Sequence, residues 1–201
     1  MDSPLLVLAG GLGTRIRRSI GGQPKALADV NGTPLLVRQI KNWEKCGYTE
    51  IILLLHYKAY EVTKVIEKNK FEAKIRFVLE PTLLGTGGSV KHAIGSLKLK
   101  KDIFVTNADT WLPTALVDLR RMSTPSIGIV WQQDFTRFGL LDLDNDRGII
   151  TGFTEKPKTR TSGWINAGLY KFSVGHFSQV SQDKFSLEEK ILPELCRQKC
   201  L

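Results

Sequence analysis

Long apolar runs are missing from this chain of 201 residues. The first, Pro4–Ala9, covers six positions, and nothing approaches the ~18 apolar residues that a membrane-spanning helix needs. Met1-Asp2-Ser3 carries no basic residue, so no secretory leader is expected. Cysteine is scarce. Cys46, Cys196 and Cys200 are an odd number, which argues against a disulfide framework and for the reducing cytoplasm. Cys196 and Cys200 stand four apart with no histidine nearby, a poor metal site. The three histidines, His56, His92 and His176, show neither triad nor ligand spacing and read as structural. Repeats, low-complexity stretches and linkers are absent as well. With 42% hydrophobic and 24% charged residues, the composition is that of one well-cored domain over residues 1–201.

What the chain does have is positive charge, +9 from 29 basic and 20 acidic residues. The cations are dispersed, and the lysines of Lys64–Lys70 and Lys98–Lys101 read as solvated helix ends. No DNA- or RNA-binding module is evident, so no nucleic-acid partner is expected. A positive field also draws small polyanions into a cleft.

Apolar runs and helical patterns alternate through residue 110. Strands are expected at Pro4–Ala9, Glu50–His56, Ala73–Leu79 and Asp102–Asn107, with helices at Thr33–Cys46, Tyr57–Asn69 and Thr86–Leu97. That rhythm predicts βαβ units and a mainly parallel sheet. Residues 111–201 read differently. Leu112–Met122 is a helix, Ser126–Gln132 a strand, and Phe138–Asp142 and Gly148–Thr154 a hairpin about Asp144-Asn145-Asp146. Gly163–Phe172 is a last strand and Leu187–Cys196 a closing helix. The first half would bind the anionic ligand and the second would cover it.

Leu8-Ala9-Gly10-Gly11-Leu12-Gly13-Thr14-Arg15 follows the first strand directly, and Pro24-Lys25 comes soon after. Three glycines let the backbone turn tightly and approach a large polyanion. Arg15 adds a forked cation and Lys25 a point charge, so the set reads as a triphosphate cradle. It is not the dinucleotide fingerprint, because the third small position counted from Gly11 and Gly13 is Ile16. No Walker-type Gly-x4-Gly-Lys-Ser/Thr string occurs. The pattern resembles the signature of the sugar-1-phosphate nucleotidylyltransferases. That resemblance covers nearly the whole chain. It implies a three-layer, Rossmann-like α/β fold, with helices on both faces of a mainly parallel mixed sheet.

Three further motifs fall at strand carboxyl ends, where open parallel sheets collect ligands. The third strand runs into Glu80-Pro81-Thr82-Leu83-Leu84-Gly85-Thr86-Gly87-Gly88. Gly85, Gly87 and Gly88, with Thr86 among them, would bring backbone close to a base or its ribose. Glu80 offers acceptors only, which matches the two adjacent donors on guanine's Watson–Crick edge, a match of ~1–3 kcal/mol in discrimination. This segment resembles the guanylyltransferases of mannose and heptose 1-phosphates, above all the D-glycero-D-manno-heptose 1-phosphate group. GTP and a sugar 1-phosphate are then the expected substrates, with synthesis of surface-polysaccharide precursors as the setting.

The fourth strand ends in Asn107-Ala108-Asp109, where Asp109 is the expected Mg²⁺ ligand. By the same resemblance Gly139 gives backbone access to the sugar, Glu155 and Asn166 take its hydroxyls, and Lys156 of Glu155-Lys156-Pro157 holds its phosphate. Arg15 would serve the β,γ-phosphates and Lys25 the α-phosphate. One departure stands out: the family's Asp-x-Gly-x-Pro string, which carries a second metal carboxylate, does not occur in this chain. Asp142, Asp144 and Asp146 belong to the hairpin and replace it poorly. Either the sequence is a truncated version, or the site binds its metal weakly, or catalysis is lost, and reduced or absent turnover by this chain is expected. Two other readings stay open on the residues alone: a metal-dependent glycosyltransferase, and a non-catalytic sensor of nucleotides or sugar phosphates. A homo-oligomer is compatible with all three.

Overall fold

Strand β1 (Leu5–Leu8) is apolar at every position and lies at the centre of the molecule, with Leu5, Leu6 and Val7 fully buried. A strand covered on both faces is the expected product of such a run. In this computed structural model, which describes residues 3–13, 22–133, 140–144, 146–154 and 162–198, β1 pairs in parallel with two neighbours. These are β4 (Glu50–Leu55) on one side and β6 (Ile103–Asn107) on the other. Strand β5 (Lys74–Leu79) extends the parallel set beyond β4.

The second half closes the sheet with antiparallel strands. Strand β10 (Gly163–Phe172) pairs along one edge with β7 (Ser126–Gln132). Its other edge is shared, Leu169–Phe172 pairing with β6 and Trp164-Ile165 with β8 (Leu140–Asp144). Strand β9 (Ile149–Thr154) completes a hairpin with β8. The mainly parallel mixed sheet expected from the sequence is therefore present.

Alternate residues of the central strands feed two cores. Leu5, Val7, Ile51 and Leu53 pack under helices α1 (Leu35–Lys45), α2 (Ala59–Glu67) and α4 (Ala115–Arg121). Leu6, Ile52, Leu54 and Val105 pack with Val90 and Ala93 of α3 (Gly85–Leu97) and with Leu187, Ile191 and Leu195. Helices thus cover both faces, and the layers are three.

Element boundaries differ from expectation at several helices; α2, for one, is shorter by two residues at each end than the expected Tyr57–Asn69. Helix α1 starts at Leu35 rather than Thr33, because Asp29–Val30 (β2) and Thr33–Pro34 (β3) form a small antiparallel hairpin. Asn31 and Gly32 at its tip both have positive φ (50° and 76°), the backbone of a two-residue hairpin turn. Arg38 clamps that turn to α1 by donating to the Val30 and Asn31 carbonyls. Helix α4 starts at Ala115 rather than Leu112. The closing helix is broken into a π-helical turn (Leu187–Ile191) and α5 (Leu192–Arg197). Pro193 has no N–H to give the preceding turn, so the regular ladder cannot run through it.

Candidate functional site

Strand order reverses between β1 and β6, and a cavity of about 440 Å³ opens at the carboxyl ends of these two strands. This is the switch point at which open α/β sheets bind ligands, and the volume lies in the range of small-molecule sites. Leu8, Ala9, Gly10, Gly11 and Gly13 supply one wall, Lys25 and Asp109 a second, and Glu80, Gly85, Thr86 and Ser89 a third. Gly13 turns the loop with φ +59° and brings it against Lys25, whose Cβ lies 3.3 Å from where a side chain on Gly13 would begin. Ten of the residues singled out from the sequence therefore converge on one cavity.

Glu80 is buried (7% exposed), although its carboxylate faces that space. Oε1 accepts from Ser89 Oγ at 2.8 Å and Oε2 from the Leu84 amide at 3.3 Å. A buried carboxylate needs such donors, and these two also fix its plane. Gly10 is the reason it fits: a Cβ there would lie 2.7 Å from Glu80 Oε1 and 3.1 Å from the His56 nitrogen. His56 Nδ1 lies 3.1 Å from the Glu80 carbonyl oxygen, so this histidine serves the loop, in keeping with a structural role.

Lys25 Nζ and Asp109 form an ion pair across the cavity, each side chain being more than a third exposed. The loop that carries Asp109 is held by Gln39, a residue the sequence reading passed over. Gln39 is fully buried on α1, and its Nε2 donates to the Thr110 carbonyl at 2.5 Å and lies 3.5 Å from the Ala108 carbonyl. Both neighbours of Asp109 are thereby anchored to a helix. Ser89 was also missed; its only sequence signal is its place one turn into a helix that opens beside Glu80.

Among the described residues no group of three or more His, Cys, Asp or Glu side chains could hold a metal ion. Glu80's oxygens already have donors, which leaves Asp109 as the carboxylate free of backbone duties. One such ligand fits Mg²⁺, which keeps waters and binds largely through substrate phosphates. Asp144 binds the Arg147 amide and Asp142 packs against Gly152, so both are hairpin residues, as expected.

Gly87 departs from expectation. It does not line the cavity among the described residues; its N–H and that of Gly88 donate to the Phe185 carbonyl (3.0 and 3.1 Å), and a Cβ on Gly87 would overlap the Phe185 ring. The small residue is needed for a strap, residues 183–188, that crosses the start of α3. Asn166 also stands apart from the cavity wall. Its Oδ1 accepts from the Gly168 amide and its Nδ2 donates to the Tyr170 hydroxyl. Thr14, Arg15, Gly139, Glu155 and Lys156 lie outside the described residues.

The fold and the cavity define an open α/β-sheet protein with its ligand site at the strand carboxyl ends. The chain belongs to the Nucleotidyl transferase family, whose profile matches residues 5–200. It is 34% identical over 187 residues to D-glycero-alpha-D-manno-heptose 1-phosphate guanylyltransferase of Campylobacter jejuni, covering 92% of this chain and 82% of that protein. It is 28% identical to mannose-1-phosphate guanyltransferase beta-A of Xenopus laevis, across 96% of this chain but only 56% of that protein, so it spans about half of that relative. The crystal structure of HddC from Yersinia pseudotuberculosis complexed with GMP-PN superposes with a TM-score of 0.79 at 34% identity, covering 96% of this chain and 86% of that one. The family assignment sets aside the glycosyltransferase reading. The chain is a nucleotidyltransferase of Rossmann-like fold.

Proposed function

We propose that this chain transfers GMP from GTP to a sugar 1-phosphate, a heptose 1-phosphate by preference, releasing pyrophosphate. The observation that carries the reading is the cavity itself, in which a glycine loop, an ion-paired Lys25 and Asp109, and an acceptor-only Glu80 share one space. The named activity of the 34%-identical relative supports the sugar.

In this reading the glycine loop takes the triphosphate on its backbone amides. Lys25 exchanges Asp109 for the α-phosphate and offsets the charge of the departing pyrophosphate. Arg15 takes the β,γ-phosphates. Asp109 holds Mg²⁺, which when bound neutralises phosphate charge and orients the oxygens. Glu80 reads the guanine edge, with Ser89 and the Leu84 amide keeping its oxygens in place. Leu8, Ala9, Gly85 and Thr86 close around base and ribose. Glu155, Asn166 and Gly139 receive the sugar, and Lys156 its phosphate. An oxygen of the 1-phosphate attacks the α-phosphorus in line; as a dianion it needs no general base, so positioning supplies the catalysis.

Cys46 and Cys196 are free thiols, which suits a reducing compartment such as the cytoplasm. No helix among the described residues is long and apolar enough to cross a membrane. The test is pyrophosphate release with each nucleoside triphosphate against heptose and mannose 1-phosphates, with Mg²⁺ present. Release with GTP and the heptose 1-phosphate in excess of other pairs is expected, at a reduced rate because the chain has no Asp-x-Gly-x-Pro string to supply a second metal carboxylate. Binding of both substrates with no release would contradict transfer and favour a sensor.

A further inference from the structure

We propose that Glu188 is a positioning residue that ties the nucleotide wall to the sugar-phosphate strand, a role that rests on the transfer reading above. It belongs to the π-helical turn, half-buried and away from the cavity, and its carboxylate gathers three hydroxyls. Oε2 accepts from Thr86 Oγ1 at 2.8 Å and from Ser186 Oγ at 2.6 Å, while Oε1 accepts from the Tyr170 hydroxyl at 3.3 Å.

A carboxylate has no proton to offer, so each hydroxyl must aim its own at Glu188. That sets the direction of every bond beyond it. Thr86 is left with lone pairs, and Oγ1 accepts from the Leu187 amide at 2.8 Å. Tyr170 is likewise left to accept, from Asn166 Nδ2 at 2.7 Å, and Asn166 Oδ1 then accepts from the Gly168 amide at 2.8 Å. One carboxylate therefore orients Thr86, at the cavity, and the amide of Asn166, on β10. Bonds chained in this way polarise one another, so the two ends are coupled.

The fold does not need Glu188 for either end. The start of α3 is already fixed by the Phe185 carbonyl on Gly87 and Gly88, and β10 by its ladders to β6 and β7. What Glu188 adds is polarity. Tyr170 and Asn166 sit on either side of the bulge at Gly168 (φ +71°), where backbone pairing is interrupted and side-chain bonds decide orientation.

Glu188→Gln and Tyr170→Phe separate the two arms. In the full chain, Glu188→Gln brings an NH₂ that reverses the polarity, and both KM values should rise about five-fold, the cost of one net hydrogen bond at each end. Tyr170→Phe removes the hydroxyl that Asn166 donates to while leaving the Thr86 bond to Glu188 intact, and should raise the sugar-phosphate KM while the GTP KM stays within about two-fold. Melting temperatures should fall by no more than a few degrees in either. Backbone exchange without any substrate gives a second reading, since the Leu187 and Gly168 amides report the two ends. Glu188→Gln should speed both and Tyr170→Phe only Gly168. If the wild type binds both substrates without turnover, that counts against the transfer reading alone, and dissociation constants should follow the same pattern as the KM values. Unchanged exchange at both amides, or a fall in melting temperature with both affinities unaltered, would overturn the role given to Glu188.

Discussion

Glu80 and Gly10 form a pair in which one residue's carboxylate occupies the space the other leaves empty. Gly10→Ala would press a methyl to within 2.7 Å of Glu80 Oε1 and 3.1 Å of the His56 backbone, where the backbone cannot yield. The expected outcome is weaker GTP binding, by roughly ten-fold in titration calorimetry, with some loss of melting temperature. Glu80→Gln keeps the shape and replaces one acceptor with a donor. It should erode the preference for GTP over ATP by a factor on the order of ten, read as a ratio of kcat/KM values. An unchanged ranking would remove Glu80 from base recognition. Gln39→Leu separates stability from function. It deletes the donors to the Ala108 and Thr110 carbonyls but also removes Oε1, which is buried without a partner among the described residues. Stability should move by no more than about 1 kcal/mol. Turnover should fall roughly 10–100-fold, because Asp109 loses the anchors on both sides of it. Lys25 and Asp109 were legible in the sequence because a charge beside a glycine loop or after a buried strand has few structural uses. Gln39 was not, since an amide on the apolar face of a helix reads as an ordinary buried polar residue.

Among the elements, the short turn Val174–Phe177 carries a pH-sensitive residue. Burial pulls His176 below its ordinary 6.5, against a smaller raising influence from Asp102. A base depressed in the folded state binds its proton more readily when unfolded. Its stabilising share is thus complete above pH 6.5 and is lost as the pH falls through the folded value. Melting temperature should decline on acidification below about pH 6.5, and His176→Phe should flatten that decline. Parallel slopes for the two proteins would refute the assignment. Strands β1, β4 and β6 were readable because three to five consecutive apolar residues on a buried strand leave little choice. The ends of α1 and of the closing helix were less so. Asn31-Gly32 specifies a hairpin turn that competes with the helix start suggested by Pro34, and Pro193 breaks a ladder that the apolar period of Leu187–Cys196 would otherwise continue. The strap over α3 had no local signature. Gly87 and Gly88 are small because of Phe185 and Asp183, residues almost a hundred positions away, and periodicity carries no information at that range.

At the scale of the whole molecule, the parallel set β5-β4-β1-β6 presents its carboxyl ends to one cavity, and β10 joins it to the antiparallel second half. On this reading the cavity holds a nucleoside triphosphate with its phosphates on the Gly10–Gly13 loop and its base toward Glu80. A crystal structure of the chain with GTP and Mg²⁺ tests it most directly. The phosphates should lie against Gly11, Gly13 and Lys25, the metal on Asp109, and the guanine edge within hydrogen-bond distance of Glu80. GTP bound elsewhere, or a cavity still bridged by the Lys25–Asp109 pair at saturating GTP, would contradict the account.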